Sequence, residues 1–155
     1  MPMSIAFVFP GQGSQSTGML AGLARTEPVV EATFAEASEV LGYDLWTLCQ
    51  RGPDTELALT EKTQPAMLAA GVATWRALQS HAQLRPAAMA GHSLGEYSAL
   101  VCSGALDFRT AVDLVRDRGR LMQQAVPIGE GAMAAVLGLE DAEVESACAE
   151  AAGSE

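Results

Sequence analysis

Residues 90–101 read AGHSLGEYSALV: an apolar segment closing on Gly91, then His92 and Ser93, then Leu94 and Gly95, then a run of helix formers. A buried strand that must become a buried helix within a few residues has little room, and a glycine on each side of the serine is what such a turn requires. The segment therefore predicts a strand at AAMAGHS, a tight turn, and a helix packed back against the strand. That unit belongs to α/β proteins with a parallel sheet covered by helices.

The rest of the chain agrees with that class. SIAFVFP is a continuous apolar run closed by Pro10 and the glycine-rich GQGSQ, which predicts a buried first strand and its exit loop. Between the two strands Val30, Phe34, Ala37 and Leu41 recur at helical spacing, with Thr26 as the expected N-cap and Gly42 as the stop. Leu68, Val72 and Trp75 repeat the pattern, and another helix is expected after Asp107. Beyond Pro127 the glycines of IGEGAM read as a linker, AMAAVLGL as a new strand, and Asp141 onward as a helix carrying Val144, Cys148 and Ala151 inward. Two parts follow, residues 1–127 and the beginning of a second, smaller part at 128–155.

The turn also carries chemistry. A GxSxG sequence between strand and helix has the form of a nucleophile elbow, which lifts Ser93 out of the sheet edge. The serine then stands at the N-terminus of a helix, where unpaired N–H groups and the helix dipole favour developing negative charge. The N–H of Leu94 is placed to act as half of an oxyanion hole. GQGSQS lacks the third glycine of a dinucleotide-binding GxGxxG and the lysine of a phosphate-binding loop. In a parallel sheet, loops at the carboxyl ends of strands gather on one edge, so Gln12 and Ser93 are expected to face one crevice, with a Gln12 N–H completing the hole. The plainer alternative is an ordinary turn with a solvated Gln12.

Periodicity singles out one arginine. At about 100° per residue, Ala111, Leu114, Val115, Met122 and Ala125 share one stripe with Arg118 at its centre, whereas Arg109, Arg116 and Arg120 map to the opposite face. An inward arginine needs an anionic partner. Either a carboxylate of the protein or a carboxylate on a substrate, held by the guanidinium fork, would serve.

Composition removes several classes. In 155 residues with 49% hydrophobic content the formal net charge is −10 and Lys62 is the single lysine, which speaks against phosphate backbones and anionic lipid surfaces as partners. The apolar runs, such as AMLAAGVATW, fall short of the roughly 18 residues of a membrane span. MPMSIAFVFP lacks the basic start of a secretory signal, so the expected location is cytoplasmic. Cys49, Cys102 and Cys148 are widely spaced and odd in number, which points to buried thiols rather than disulfides or a zinc site.

FPGQGSQ at 9–15, TQPA at 63–66, GHSLGEYSALV from Gly91 and RGRLMQQAVP from Arg118, in that order, resemble the N-terminal half of the malonyl-CoA:acyl carrier protein transacylases of fatty acid synthesis. The resemblance implies that Ser93 is the acylated nucleophile, that Gln12 and Leu94 give the oxyanion N–H groups, and that Arg118 binds the malonyl carboxylate, with Gln64 lining the same pocket. It further implies malonyl-CoA and acyl carrier protein as partners, and no metal or redox cofactor. The implied fold is a large subdomain like an α/β hydrolase with a small ferredoxin-like subdomain inserted. Family members are roughly twice this long and draw their general-base histidine from the second half. Of the two histidines present, His81 is expected to be solvated. His92 is expected to be structural, hydrogen-bonded behind the elbow on the side away from Ser93. The same elbow would serve an esterase or thioesterase, and a non-catalytic half-domain is the alternative outside enzymes.

Overall fold

The computed structural model describes residues 5–126 and 136–152, which divide into a unit ending at Ala125 and a second unit beginning at Val126. In the first, β1 (Ala6–Phe9) leads through α1 (Ala21–Ala24), α2 (Val29–Leu41), α3 (Leu45–Arg51), α4 (Asp54–Leu57) and α5 (Thr60–His81) to β2 (Ala88–Gly91). Helices α6 (Leu94–Cys102) and α7 (Phe108–Ala125) follow. The two strands pair in parallel, Ala6 opposite Ala88 through Phe9 opposite Gly91.

The long helix α5 is the centre of this unit. Its residues Thr63–Ala70 are buried on every side, as expected for a helix enclosed by others, and it packs on α2, α6 and α7. Phe34, Leu45, Leu57, Leu68 and Leu94 fill the core around it, each no more than 2% exposed. Gly42 ends α2 in the left-handed conformation (φ 76°), as its place after Leu41 suggested. Asp107 caps α7, its carboxylate accepting from the Thr110 N–H at 2.9 Å.

Several expectations need correction. The N-cap of α2 is Pro28, because its fixed φ already suits the helix (−58°), while the Thr26 hydroxyl donates back to Leu23 O. The strands are not fully buried, and Val8 is 77% exposed. A two-stranded sheet has too few neighbours to cover both of its faces. On α7 the buried stripe runs through Phe108, Ala111, Val112, Val115 and Gly119, rotated away from Leu114 and Ala125, which are exposed. Packing against α5 and α2 together selects that face.

In the second unit, α8 (Asp141–Ala152) forms where expected, but only Val144 is even half-buried, and Cys148 and Ala151 are exposed. Its apolar residues meet no described partner that would cover them. The strand expected at AMAAVLGL lies mostly outside the described residues, as does Pro127, and the described Val136–Leu139 form no strand. Among the described residues no helix is long and apolar enough to cross a membrane.

Candidate active site

The elbow is built as the two glycines require. Ser93 has φ 53° and ψ −110°, and it is one of two described non-glycine residues with positive φ, the other being Leu20. Such a conformation costs on the order of 1–3 kcal/mol and persists only where its surroundings impose it. Here a Cβ on Gly91 would stand 2.1 Å from the carbonyl carbon of Gly95, and one on Gly95 would stand 2.3 Å from Phe9 O. No side chain fits at either position, so β1, β2 and the start of α6 close on one another around the serine.

That closure sets the backbone donors. Gly95 N–H donates to His92 O (2.9 Å) and Glu96 N–H to Ser93 O (3.3 Å), whereas no described group accepts the N–H of Leu94. The first loop lies against the elbow, since a Cβ on Gly11 would be 3.0 Å from His92 O. Gln12 and Ser93 are thus brought to one sheet edge. The Gln12 side chain is exposed, and its Nε2 donates to Thr60 Oγ1 at 3.3 Å.

Arg118 reaches the serine from α7. Its Nη2 donates to Ser93 Oγ at 2.9 Å and its Nη1 to Gln64 Oε1 at 2.8 Å, with the guanidinium carbon 5.7 Å from the centre of the Tyr97 ring. Gln64 is wholly buried, and its Nε2 donates in turn to Met122 Sδ at 3.2 Å. Of the two partners the sequence left open for Arg118, a protein carboxylate is not found among the described residues. Arg76, Arg109, Arg116 and Arg120 pair with Glu36, Glu39, Asp113 and Asp117 respectively. The half-buried guanidinium of Arg118 is held by two neutral groups and an aromatic face.

The histidines stand apart from this cluster. His81 is exposed, as expected, and its Nε2 lies 2.6 Å from Glu27 Oε1. His92 is exposed, and its ring makes no hydrogen bond among the described residues where one behind the elbow was expected. It lies one residue past the last paired position of β2, so no strand backs it. Thr60, Tyr97, Gly119 and Met122 were not singled out as site residues by sequence reasoning. Tyr97 had a signal, being one helical turn beyond Ser93, whereas the Thr60 contact depends on how the first loop folds over α5.

A cavity of about 340 Å³ is lined by Phe7, Val8, Phe9, Met67, Trp75 and Leu78 among others, but not by Ser93 or Arg118. Its apolar lining is the uncovered face of β1 rather than a place for the chemistry. Among the described residues no group of His, Cys, Asp and Glu is arranged to hold a metal ion. Burial pushes the Cys49 and Cys102 thiols up to about 12, which keeps both protonated at neutral pH, Cys49 being fully buried and Cys102 half-buried.

Residues 6–152 match the family model described as acyl transferase domain. The chain is 63% identical over 147 residues to the malonyl CoA-acyl carrier protein transacylase of Escherichia coli strain K12, covering 95% of this chain and 48% of that protein. Among solved structures it resembles the malonyl CoA-acyl carrier protein transacylase from Coxiella burnetii, with TM-score 0.90 and 58% identity over 96% of this chain and 47% of that one. It also resembles a malonyl-transacylase solved in complex with its type II PKS acyl-carrier protein, with TM-score 0.89 and 60% identity over 97% and 48%. The chain spans about half the length of the relatives it matches.

Proposed function

Because this chain belongs to the acyl transferase domain family, we propose that it is the nucleophile-bearing half of a malonyl-CoA:acyl carrier protein transacylase of fatty acid synthesis. In this reading residues 1–127 belong to a large subdomain of the α/β-hydrolase kind and residues 128–155 open a small ferredoxin-like one. Malonyl-CoA and acyl carrier protein are its two partners in turn.

The reaction is a ping-pong transfer. Ser93 Oγ attacks the thioester carbonyl of malonyl-CoA, its proton passes to a general base supplied from outside residues 1–155, and charge collects on the carbonyl oxygen. The N–H groups of Leu94 and Gln12 receive that oxygen. The C–S bond then breaks, the coenzyme A thiolate leaves and takes up a proton, and the malonyl ester of Ser93 remains. The phosphopantetheine thiol of the carrier protein attacks the ester by the reverse sequence, returning the hydroxyl to Ser93.

The observation that carries the reading is the Arg118 guanidinium on Ser93 Oγ with neutral partners only among the described residues. A cation left uncompensated beside a nucleophile suits an acyl group that brings its own carboxylate. Plain ester or thioester hydrolysis has no use for it. The test is intact-protein mass spectrometry of the full-length protein with malonyl-CoA. Wild type should gain one malonyl group and Ser93→Ala none, and a malonyl adduct on the alanine variant would remove Ser93 from the mechanism.

A further inference from the structure

We propose that Gly119 and Met122 are positioning residues for Arg118, and that the seam they close between α5 and α7 sets the preference for carboxylated over plain acyl groups. The inference rests on the function proposed above. It begins from a backbone contact: Gly119 is buried, and a Cβ there would lie 2.8 Å from both Glu61 Cα and Thr60 O and 3.1 Å from Glu61 N. All three atoms are main chain, so no side-chain rotation relieves the overlap. Helix α7 lies on the first turn of α5 at a distance that only glycine permits.

The residue before this contact is Arg118, and one turn along α5 from it is Gln64. A methyl group at position 119 would drive α7 back by roughly half an ångström or more before ordinary carbon contacts are restored. The 2.8 Å bond from Arg118 Nη1 to Gln64 Oε1 would then pass the 3.2 Å limit of a good N–H···O bond. The guanidinium would lose its fixed orientation while keeping its charge.

Met122 acts on the other end of Gln64. The Gln64 amide could in principle face either way, but its carbonyl must meet the Arg118 donor, and its NH₂ then needs an acceptor inside a wholly buried site. The Met122 thioether supplies that acceptor at 3.2 Å. Leucine in its place keeps nearly the same volume and removes the acceptor. Thr60 joins the seam to the first loop, since its carbonyl meets Gly119 and its hydroxyl holds Gln12.

The test compares malonyl and acetyl transfer by the full-length protein, wild type against Gly119→Ala and Met122→Leu, with circular dichroism melts as the check on folding. For Gly119→Ala the kcat/KM ratio of malonyl to acetyl should fall about tenfold or more, through a raised KM for malonyl-CoA with acetyl transfer little changed. For Met122→Leu the ratio should fall by roughly two- to tenfold, the worth of one neutral hydrogen bond. The second variant conserves volume and answers the question even if the first does not fold. A wild-type ratio in a folded variant, or an equal loss on both substrates, overturns the role of that residue and leaves the function above standing. Wild type that transfers no malonyl overturns both.

Discussion

Replacing Gln64 by glutamate tests the charge balance of the site at nearly constant volume, at the cost of the Gln64 Nε2 donation to Met122 Sδ. The amide oxygen already accepts from Arg118 Nη1 at 2.8 Å, so a carboxylate oxygen would occupy the same place and turn a neutral hydrogen bond into an ion pair. Two unit charges about 4 Å apart attract by roughly 4 kcal/mol at the effective dielectric of a site near the protein surface. Arg118 is half-buried, so solvent screening reduces that figure. Under the proposed function, what the substrate loses is the charge-assisted part of its own bond to Arg118, about 1.5–3 kcal/mol. At 1.4 kcal/mol per decade, malonyl transfer should therefore fall by about ten- to a hundredfold relative to acetyl transfer. Gln64→Ala keeps the cation uncompensated and should shift the ratio less than Gln64→Glu, while Arg118→Ala should shift it at least as far. The assay is the malonyl to acetyl kcat/KM ratio of the full-length protein. An unchanged ratio in Gln64→Glu, with the fold intact, would refute the claim that the substrate carboxylate uses this guanidinium.

Two further outcomes follow from the packing. Gly95→Ala should not yield a stable protein, since its methyl would overlap Phe9 O at 2.3 Å, and a cooperative melt near the wild-type temperature would contradict the elbow geometry. Cys49 and Cys102 should resist iodoacetamide at pH 7–8 in the folded full-length protein and react once it is denatured, because burial raises both thiols to about 12 and leaves almost no thiolate in that range. Peptide mapping of the alkylated sites reads this directly.

The elbow was legible because it is local. Two glycines, a serine and the change from apolar run to helix formers are all within a dozen residues, and the turn they require has few solutions. Arg118 was legible by a weaker signal, an odd charge in an apolar stripe, and the stripe itself was placed about a sixth of a turn away from the face that packs. A helix wheel treats all apolar residues alike, whereas α7 meets α5, α2 and α6 at once and lies against the α5 backbone at Gly119, which carries no side chain to register on a wheel. The hydrogen bonds of Gln64 to Met122 and of Gln12 to Thr60 join residues 58 and 48 positions apart. No periodicity encodes such pairs. The burial of β1 and β2 was read from their apolar content, but content specifies a surface that wants covering and not the segment that covers it.

In a chain of net charge −10 acidic groups are abundant, and among the described residues Arg76, Arg109, Arg116 and Arg120 each pair with one. Each of those pairs lies on a helix flank where a carboxylate has room. Around Arg118 the positions that could hold a carboxylate are taken by Gln64, Ser93 and Tyr97, isosteric or nearly so with acidic alternatives only in the first case. An amide at 64 satisfies the guanidinium geometrically without cancelling its charge. Under the proposed function this has a consequence for the nucleophile. In the resting site Arg118 donates to Ser93 Oγ and so makes that oxygen less basic, which restrains attack on any thioester that arrives. A substrate carboxylate is the stronger acceptor and would draw the guanidinium to itself, freeing an Oγ lone pair when the acyl carbonyl stands over the oxyanion N–H groups. An acetyl group brings no such acceptor. Selectivity of this kind enters through the rate of acylation as well as through binding, so a comparison of burst rates for malonyl-CoA and acetyl-CoA at saturation should show malonyl faster in wild type and the difference diminished in Arg118→Ala. Equal saturated burst rates in wild type would confine Arg118 to binding alone.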